Sequence, residues 1–255
     1  MRIELSFTPH QADEAALRDK TVVAIDVLRA STTIVTALYN GAREIIPVTT
    51  VESAVNLSAK LAGDIVLLGG ERGGRMIQGF SLGNSPAEYT PEKVKGKSIV
   101  FSSTNGSQVL VNGRYAREMV VCGFVNMAMG VNFLRERPRD FTLACAGTNG
   151  AFSLEDSVCA GMVIYSLTRD DSLELALSDG ALAAQTLYKS HGKNVLKLLR
   201  STEHGRHLQE IGFEDDLKLC ASVDSIPALP QLDGNVIRLK RDAERKDLSP
   251  AAASS

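Results

Sequence analysis

The sequence predicts an α/β protein: a three-layer α/β/α arrangement around a mostly parallel or mixed sheet. Three observations carry that expectation. Short, β-branched apolar runs alternate with helical patterns. The connections between them are short, as in successive βαβ units. Three strand-to-helix junctions hold polar residues, at the positions where open α/β sheets bind ligands.

The first residues, MRIELS, read as a strand followed by a polar helix or loop. TVVAID (21–26) is a short buried strand. STTIVTALYN (31–40) is a helix that Ser31 or Thr32 could cap and Gly41 stops. EIIPV (44–48) is a second strand of this kind, and VESAVNLSAKLA (51–62) an amphipathic helix with Val51, Val55, Ala59 and Ala62 on one face. DIVLLG (64–69) is a buried strand leading into a glycine-rich loop that runs through Gly83. KSIVFS (97–102) is a strand, after which STNGSQVLV turns into a helix. EMVVC (118–122) precedes a helix at 124–134, and DFTLACA (140–146) precedes a long apolar helix.

Beyond residue 170 the pattern is mostly helical, at 178–190, 193–200, 202–211 and 214–222, and GNVIRLK (234–240) returns as a final strand. Residues 241–255 are charged and rich in small residues, which predicts a disordered tail. The expected organisation is one α/β unit over 1–240, with lobes of about 1–140 and 141–240 as a finer division.

With 255 residues there is ample chain to bury a core. A net charge of −2 argues against nucleic acid as a partner. No apolar run reaches membrane-spanning length, and the amino-terminal segment lacks a signal-like apolar core. A cytoplasmic protein without a membrane partner is expected, and a homo-oligomer is left open. Cys122, Cys145, Cys159 and Cys220 are widely spaced, which predicts reduced core thiols rather than a zinc site.

The junctions hold the chemistry. Asp26 ends an apolar strand, where a carboxylate is poorly solvated unless paired or bound to a metal. An ion pair with Arg29 would explain it blandly. A ligand site is favoured because Asp26 sits at a sheet switch position and an anion-binding junction follows it; Arg29 offers a planar fork for an anion, and Ser31, Thr32 and Thr33 exceed what a helix cap needs. Glu71 also ends an apolar run, followed by Arg72 and Arg75 among glycines, and GNSP (83–86) is a tight turn that offers Asn84 and Ser85 as ligand contacts.

An internal echo, FSSTNGSQ (101–108) and CAGTNGAF (145–152), places Thr104, Asn105 and Gly106, and Gly147, Thr148, Asn149 and Gly150, where helix-start amides favour anions. Ser153 and Asp156 loosely fit a capping box, which leaves Glu155 unexplained at the start of an apolar helix. The four carboxylates Asp26, Glu71, Glu155 and Asp156 suit Mg²⁺, which takes one or two carboxylates plus waters and phosphate oxygens. His204 and His207 stand one helical turn apart, with His204 the better candidate for a ligand or general acid. Other phosphatase chemistries lack their motifs: no C-x5-R, no D-x-D at Asp26, no phosphate-binding G-x-x-x-x-G-K and no G-x-S-x-G.

Together IDVLRASTTIVTAL (25–38) with NGA (40–42), GERGG and GFSLGNSP (70–86), TNG (104–106), CAGTNGAFSLED (145–156) and the pattern HG-x-x-L-x-x-x-GF-x-x-D-L-x-x-CA-x-x-D (204–224) resemble the 2-phosphosulfolactate phosphatase family, in order over nearly the whole chain. The resemblance implies a family-specific α/β phosphatase fold and Mg²⁺-dependent hydrolysis of 2-phospho-3-sulfolactate to 3-sulfolactate and phosphate, a step toward coenzyme M in methanogens. It places Asp26, Arg29, Ser31, Thr32, Glu71, Asn84, Ser85, Asn105, Gly106, Thr148, Glu155, Asp156, His204 and Asp224 at motif positions. A phosphatase for another phosphorylated 2-hydroxy acid, or a non-catalytic binder of anionic metabolites, are the alternatives.

Overall fold

A computed structural model describes residues 1–61 and 65–239; the expected tail at 241–255 lies outside the described residues. In chain order the elements begin with β1 (Arg2–Ser6), α1 (Glu14–Leu17), β2 (Thr21–Ile25), α2 (Ala30–Tyr39), β3 (Glu44–Pro47) and α3 (Val51–Lys60). Next come β4 (Val66–Arg72), β5 (Arg75–Met76), α4 (Pro91–Val94), β6 (Ser98–Ser102), α5 (Gly106–Asn112), β7 (Glu118–Cys122) and α6 (Met127–Arg135). The chain continues through β8 (Phe141–Cys145), α7 (Leu154–Leu167), β9 (Ala176–Leu177), α8 (Asp179–His191), α9 (Val195–Ser201), α10 (Glu203–Glu210) and α11 (Glu214–Cys220), and ends in the hairpin β10 (Pro230–Asp233) and β11 (Val236–Leu239).

One sheet runs through all of it in the order β5-β4-β6-β3-β11-β10-β7-β2-β8-β1-β9. β4, β6 and β3 form one parallel block, and β7, β2, β8, β1 and β9 form another. The hairpin lies between them, and each of its three pairings (β3–β11, β11–β10 and β10–β7) is antiparallel. The two blocks therefore run in opposite directions along the ladder. Helices α2 and α5 nevertheless touch strands of both blocks, so the sheet coils around them and brings the carboxyl end of β6 to that of β2.

Strand alternation explains the layers. Val22 and Ala24 of β2, Ile45 of β3, Ile99 and Phe101 of β6 and Val121 of β7 face the α2–α5 core. Val23 and Ile25, Val120 and Cys122, and Leu143 and Cys145 face the opposite core beside α6, α7 and α8. Ile46 and Val100 face a third core with Ala54 of α3. All four cysteines are buried free thiols. Glu44 ties the hairpin in: it accepts from Ser98 Oγ at 2.6 Å and from Arg238 Nε at 3.0 Å.

Some expectations are corrected. Helix α2 begins at Ala30 and its flanking Arg29 makes no side-chain cap; Ser31 Oγ instead accepts from the amide of Asp26 at 2.9 Å. In α3 the inward face carries Ala54 and Leu57, while Val55 and Ala59 are exposed, and Ala62 lies outside the described residues. The expected final strand is the second arm of a hairpin in mid-sheet. No helix among the described residues is long and apolar enough to cross a membrane.

Candidate active site

Four chain segments meet where β2, β4, β6 and β8 end. Asp26 follows β2 and is 7% exposed. Its Oδ1 accepts from the amide of Ala30 at 3.3 Å, and Gly106 at the start of α5 stands so close that a Cβ there would lie 2.5 Å from Oδ2. Burial, then the charge of Glu71 and that of Glu155, push the Asp26 carboxyl up to about 7, against the amides of Ala30 and Gly106.

Glu71, near the end of β4, is held by three donors. The amide of Thr104 reaches Oε1 at 2.7 Å, while the Thr104 hydroxyl and the amide of Gly74 reach Oε2 at 3.2 and 2.8 Å. Glu155 and Asp156 open α7 and are both buried. Burial raises the Glu155 carboxyl, with Glu203 adding to the shift and the hydroxyls of Thr202 and Ser153 opposing it. Asp156 is pushed well above the usual carboxylate range by burial, then by Asp26 and Glu155.

The capping box is half made. Ser153 Oγ accepts from the amide of Asp156 at 3.2 Å, as the sequence predicts. The Asp156 carboxylate reaches outward instead, taking the amide of Val27 at 2.8 Å and that of Gly147 at 3.1 Å. It thereby joins the loop after β2 to the loop after β8.

Beside Glu71 is a cleft of about 330 Å³; Asp26, Glu155 and Asp156 are not in its lining, and Asp26 faces a narrow cavity with Ser31 and Gly106 instead. Glu71, Thr104, Asn105, Thr148 and Asn149 line its sheet side, and Glu203, His204 and His207 of α10 line the other. The two T-N-G loops are linked directly, the amide of Asn149 donating to Asn105 Oδ1 at 2.9 Å. Gly147, Asn149 and Gly150 are all left-handed, with φ of 66°, 52° and 78°, which shapes the second loop around its Thr148–Ala151 backbone pair. Burial lowers His204 to about 4, with the charges of Arg29 and His207 adding to it and Glu71 opposing. His204 is therefore neutral near pH 7, and its place in the cleft lining is compatible with the expected ligand role. Neither Lys nor Arg lines the cleft among the described residues.

Several expected contacts lie elsewhere. The Arg29 fork does not face the cleft as an anion holder, and it does not pair with Asp26. Nη1 donates to Asp216 Oδ2 at 2.6 Å, Nη2 donates to the carbonyl of Gly74, and Phe213 lies against the guanidinium at 4.4 Å. Ser85 Oγ donates to the other Asp216 oxygen at 2.6 Å, and the carbonyl of Asn84 accepts from Thr33 Oγ1 at 2.8 Å. Thr32 faces a separate groove beside Pro86 and Leu219. Arg72 is bound to Ser102 and to the carbonyl of Thr49, bracing strand ends. Asp224 caps α6 through the amide of Ala128 at 2.6 Å, far from this chemistry in role.

Sequence reasoning assigns no role to two residues. Glu203 gives no pattern beyond an acid in a first helical turn. Asp216 is the Asp of the pattern GF-x-x-D-L, which by itself gives it no role, although its spacing to Phe213, Leu217 and Cys220 places it on the buried face of α11.

Among the described residues no three His, Cys, Asp or Glu side chains converge as a ready-made metal cage. The donor chemistry still fits Mg²⁺, which needs only one or two carboxylates. The charge of Glu71 reaches Asp26, and neither carboxylate forms an ion pair with Lys or Arg among the described residues.

Comparison with known proteins identifies the family of the chain. The family profile described as 2-phosphosulpholactate phosphatase matches residues 6–235. A probable 2-phosphosulfolactate phosphatase of Caldanaerobacter subterraneus subsp. tengcongensis is 39% identical over 238 residues, 92% of this chain and 97% of that protein. One of Thermotoga maritima, with the same description, is 43% identical over 221 residues, 87% of this chain and 92% of its own length. One of Clostridium acetobutylicum is 35% identical over 231 residues, 91% and 97% of the two chains. Because the match runs from the end of β1 to the turn of the terminal hairpin and takes in every loop of the cleft, this chain belongs to the 2-phosphosulfolactate phosphatase family.

Proposed function

We propose that this protein is a Mg²⁺-dependent phosphatase that hydrolyses 2-phospho-3-sulfolactate to 3-sulfolactate and phosphate. The observation that carries this reading is the meeting of two T-N-G loops with Glu71 in one cleft, with the buried Asp26 carboxylate near enough for the Glu71 charge to raise it. The substrate has a phosphate, a sulfonate and a carboxylate. Polar loop groups and helix-start amides can seat such anions, and the absence of Lys or Arg from the described cleft lining makes a dication the natural counter-charge.

Asp26 and Glu71 are the residues that would hold Mg²⁺, with Glu155 behind them. The ion would neutralise charge developing on the transferred phosphoryl group and lower the pKa of a bound water. Asn105, Thr148 and Asn149 orient the anionic groups, while Thr104 holds Glu71 with its amide and hydroxyl. His204, being neutral, offers a hydrogen bond to the bridging oxygen rather than a charge. Asp156 keeps the loops after β2 and β8 in register.

The test is phosphate release from synthetic 2-phospho-3-sulfolactate with Mg²⁺, after EDTA, and after Mg²⁺ is restored. Release that stops with EDTA and exceeds that from 2-phospholactate, which lacks the sulfonate, is expected. Equal rates on both compounds would assign another phosphorylated 2-hydroxy acid. Tight binding without release, indifferent to Mg²⁺, would overturn catalysis altogether.

A further inference from the structure

Arg29 is 2% exposed and Asp216 is 3% exposed, so both charges have left water. A buried ion pair is a costly way to gain stability, because desolvation offsets most of the attraction. The position of this one suggests what it does. Arg29 flanks the start of α2, two residues beyond Val27, whose amide Asp156 holds. Asp216 comes from α11, and its second oxygen takes the hydroxyl of Ser85. The pair thus joins the β2–α2 junction, the Gly83–Ser85 turn and the carboxyl-terminal helices.

The remaining Arg29 contact points toward the cleft. Nη2 donates to the carbonyl of Gly74, and the amide of that same residue donates to Glu71 Oε2 at 2.8 Å. Gly73 and Gly74 form the turn between β4 and β5, with φ of 57° and 81°. His207 contacts the carbonyl of Gly73 at 3.1 Å. A Cβ on Gly74 would lie 2.6 Å from Ile211 Cδ1, so the turn is also confined by the helices packed on it. A two-glycine turn has wide conformational freedom. Here its carbonyl is fixed from behind, which leaves its amide aimed at one oxygen of Glu71.

We infer that Asp216 and Arg29 are positioning residues: through Gly74, whose carbonyl and amide lie in adjacent peptide planes joined at one Cα, they set the orientation of the Glu71 carboxylate in the cleft. The inference rests on Glu71 being part of the site proposed above, yet the contact chain can be tested without any turnover. A bidentate fork matters here, because one guanidinium must reach a carboxylate and a carbonyl at once, which a lysine ammonium does less well.

The experiment is amide hydrogen exchange on protein labelled with ¹⁵N-glycine, comparing wild type with Asp216→Asn, Arg29→Lys and Ser85→Ala. Gly74 reports the relay, and Gly147, whose amide is held by Asp156, is the internal reference. Exchange at Gly74 is expected to rise at least tenfold in Asp216→Asn and Arg29→Lys, and less in Ser85→Ala, with Gly147 unchanged. Under Mg²⁺ the first two variants should also lose kcat by at least tenfold with KM for 2-phospho-3-sulfolactate changed less than threefold. Unchanged Gly74 exchange, or equal acceleration at Gly74 and Gly147, overturns the positioning role. Absence of phosphate release by the wild type overturns the proposed activity while the exchange comparison still decides the relay.

Discussion

Gly106 and Asp26 are in contact so close that no side chain fits between them. A Cβ at Gly106 would stand 2.5 Å from Asp26 Oδ2 and 2.8 Å from the Ala30 Cβ. The first is a carboxylate on a short side chain and the second is packed core, so neither yields easily. Gly106→Ala is expected to displace the Asp26 carboxylate and cost about 1–3 kcal/mol of stability, as overpacking does. Phosphate release should fall at least tenfold. Urea unfolding beside steady-state kinetics checks both, and an active, equally stable variant would show that this contact is dispensable.

Asp26 itself opposes folding near neutral pH. Its carboxyl is raised to about 7 from an ordinary 3.8, so between these values the folded state holds a proton that the unfolded state has released. Its contribution to stability therefore declines as pH rises from about 4 to about 7 and is level above. Asp26→Asn removes that component. In metal-free buffer the variant should gain in melting temperature over wild type as pH rises through that window, and should lose turnover. A constant difference across pH 4–8 would contradict the assignment.

His204 moves the other way. Its folded-state value of about 4 lies below the ordinary 6.5, so the unfolded chain binds a proton first as pH falls. The stability this neutral ring supports is full above about 6.5 and is lost toward pH 4. Ring-carbon NMR of ¹³C-histidine protein should find His204 titrating near 4. His204→Gln should flatten the acid side of the stability curve. A ring titrating near 6.5 would contradict the neutral state and favour a general-acid role.

Asp156 tests the junction between loops. Asp156→Ala leaves the buried amides of Val27 and Gly147 without their acceptor, each costing about 1–3 kcal/mol. Asp156→Asn keeps one acceptor oxygen and should lose less. Urea midpoints for the two variants check the order, and a stable, fully active Asp156→Ala would leave the carboxylate without a structural role.

Much of this architecture is legible in the amino-acid pattern because buried parallel strands write themselves as apolar runs. EMVVC is the strand Glu118–Cys122 to the residue, and TVVAI, EIIP and SIVFS lie within one or two residues of their expected limits. Glu155 is legible as an acid out of place in an apolar helix. What stays hidden depends on distant partners. Nothing local shows that the Arg29 fork closes on Asp216, a contact 187 residues away in sequence. Ser31 and Thr32 look like caps, but both turn back on the preceding loop, Ser31 accepting from the Asp26 amide and Thr32 donating to the Val27 carbonyl. The central hairpin is hidden for the same reason: PQLD has little strand character by itself and becomes a strand because β7 and β11 pair with it.

The placement of that hairpin has a consequence for biosynthesis. Residues 230–239 emerge late from the ribosome, yet they fill the centre of the ladder between β3 and β7. Until they arrive, the nascent chain carries two half-sheets with unpaired inner edges, each a template for wrong partners. The cleft draws its walls from both halves, so a translating chain gains its binding pocket only when almost the last described strand is in place.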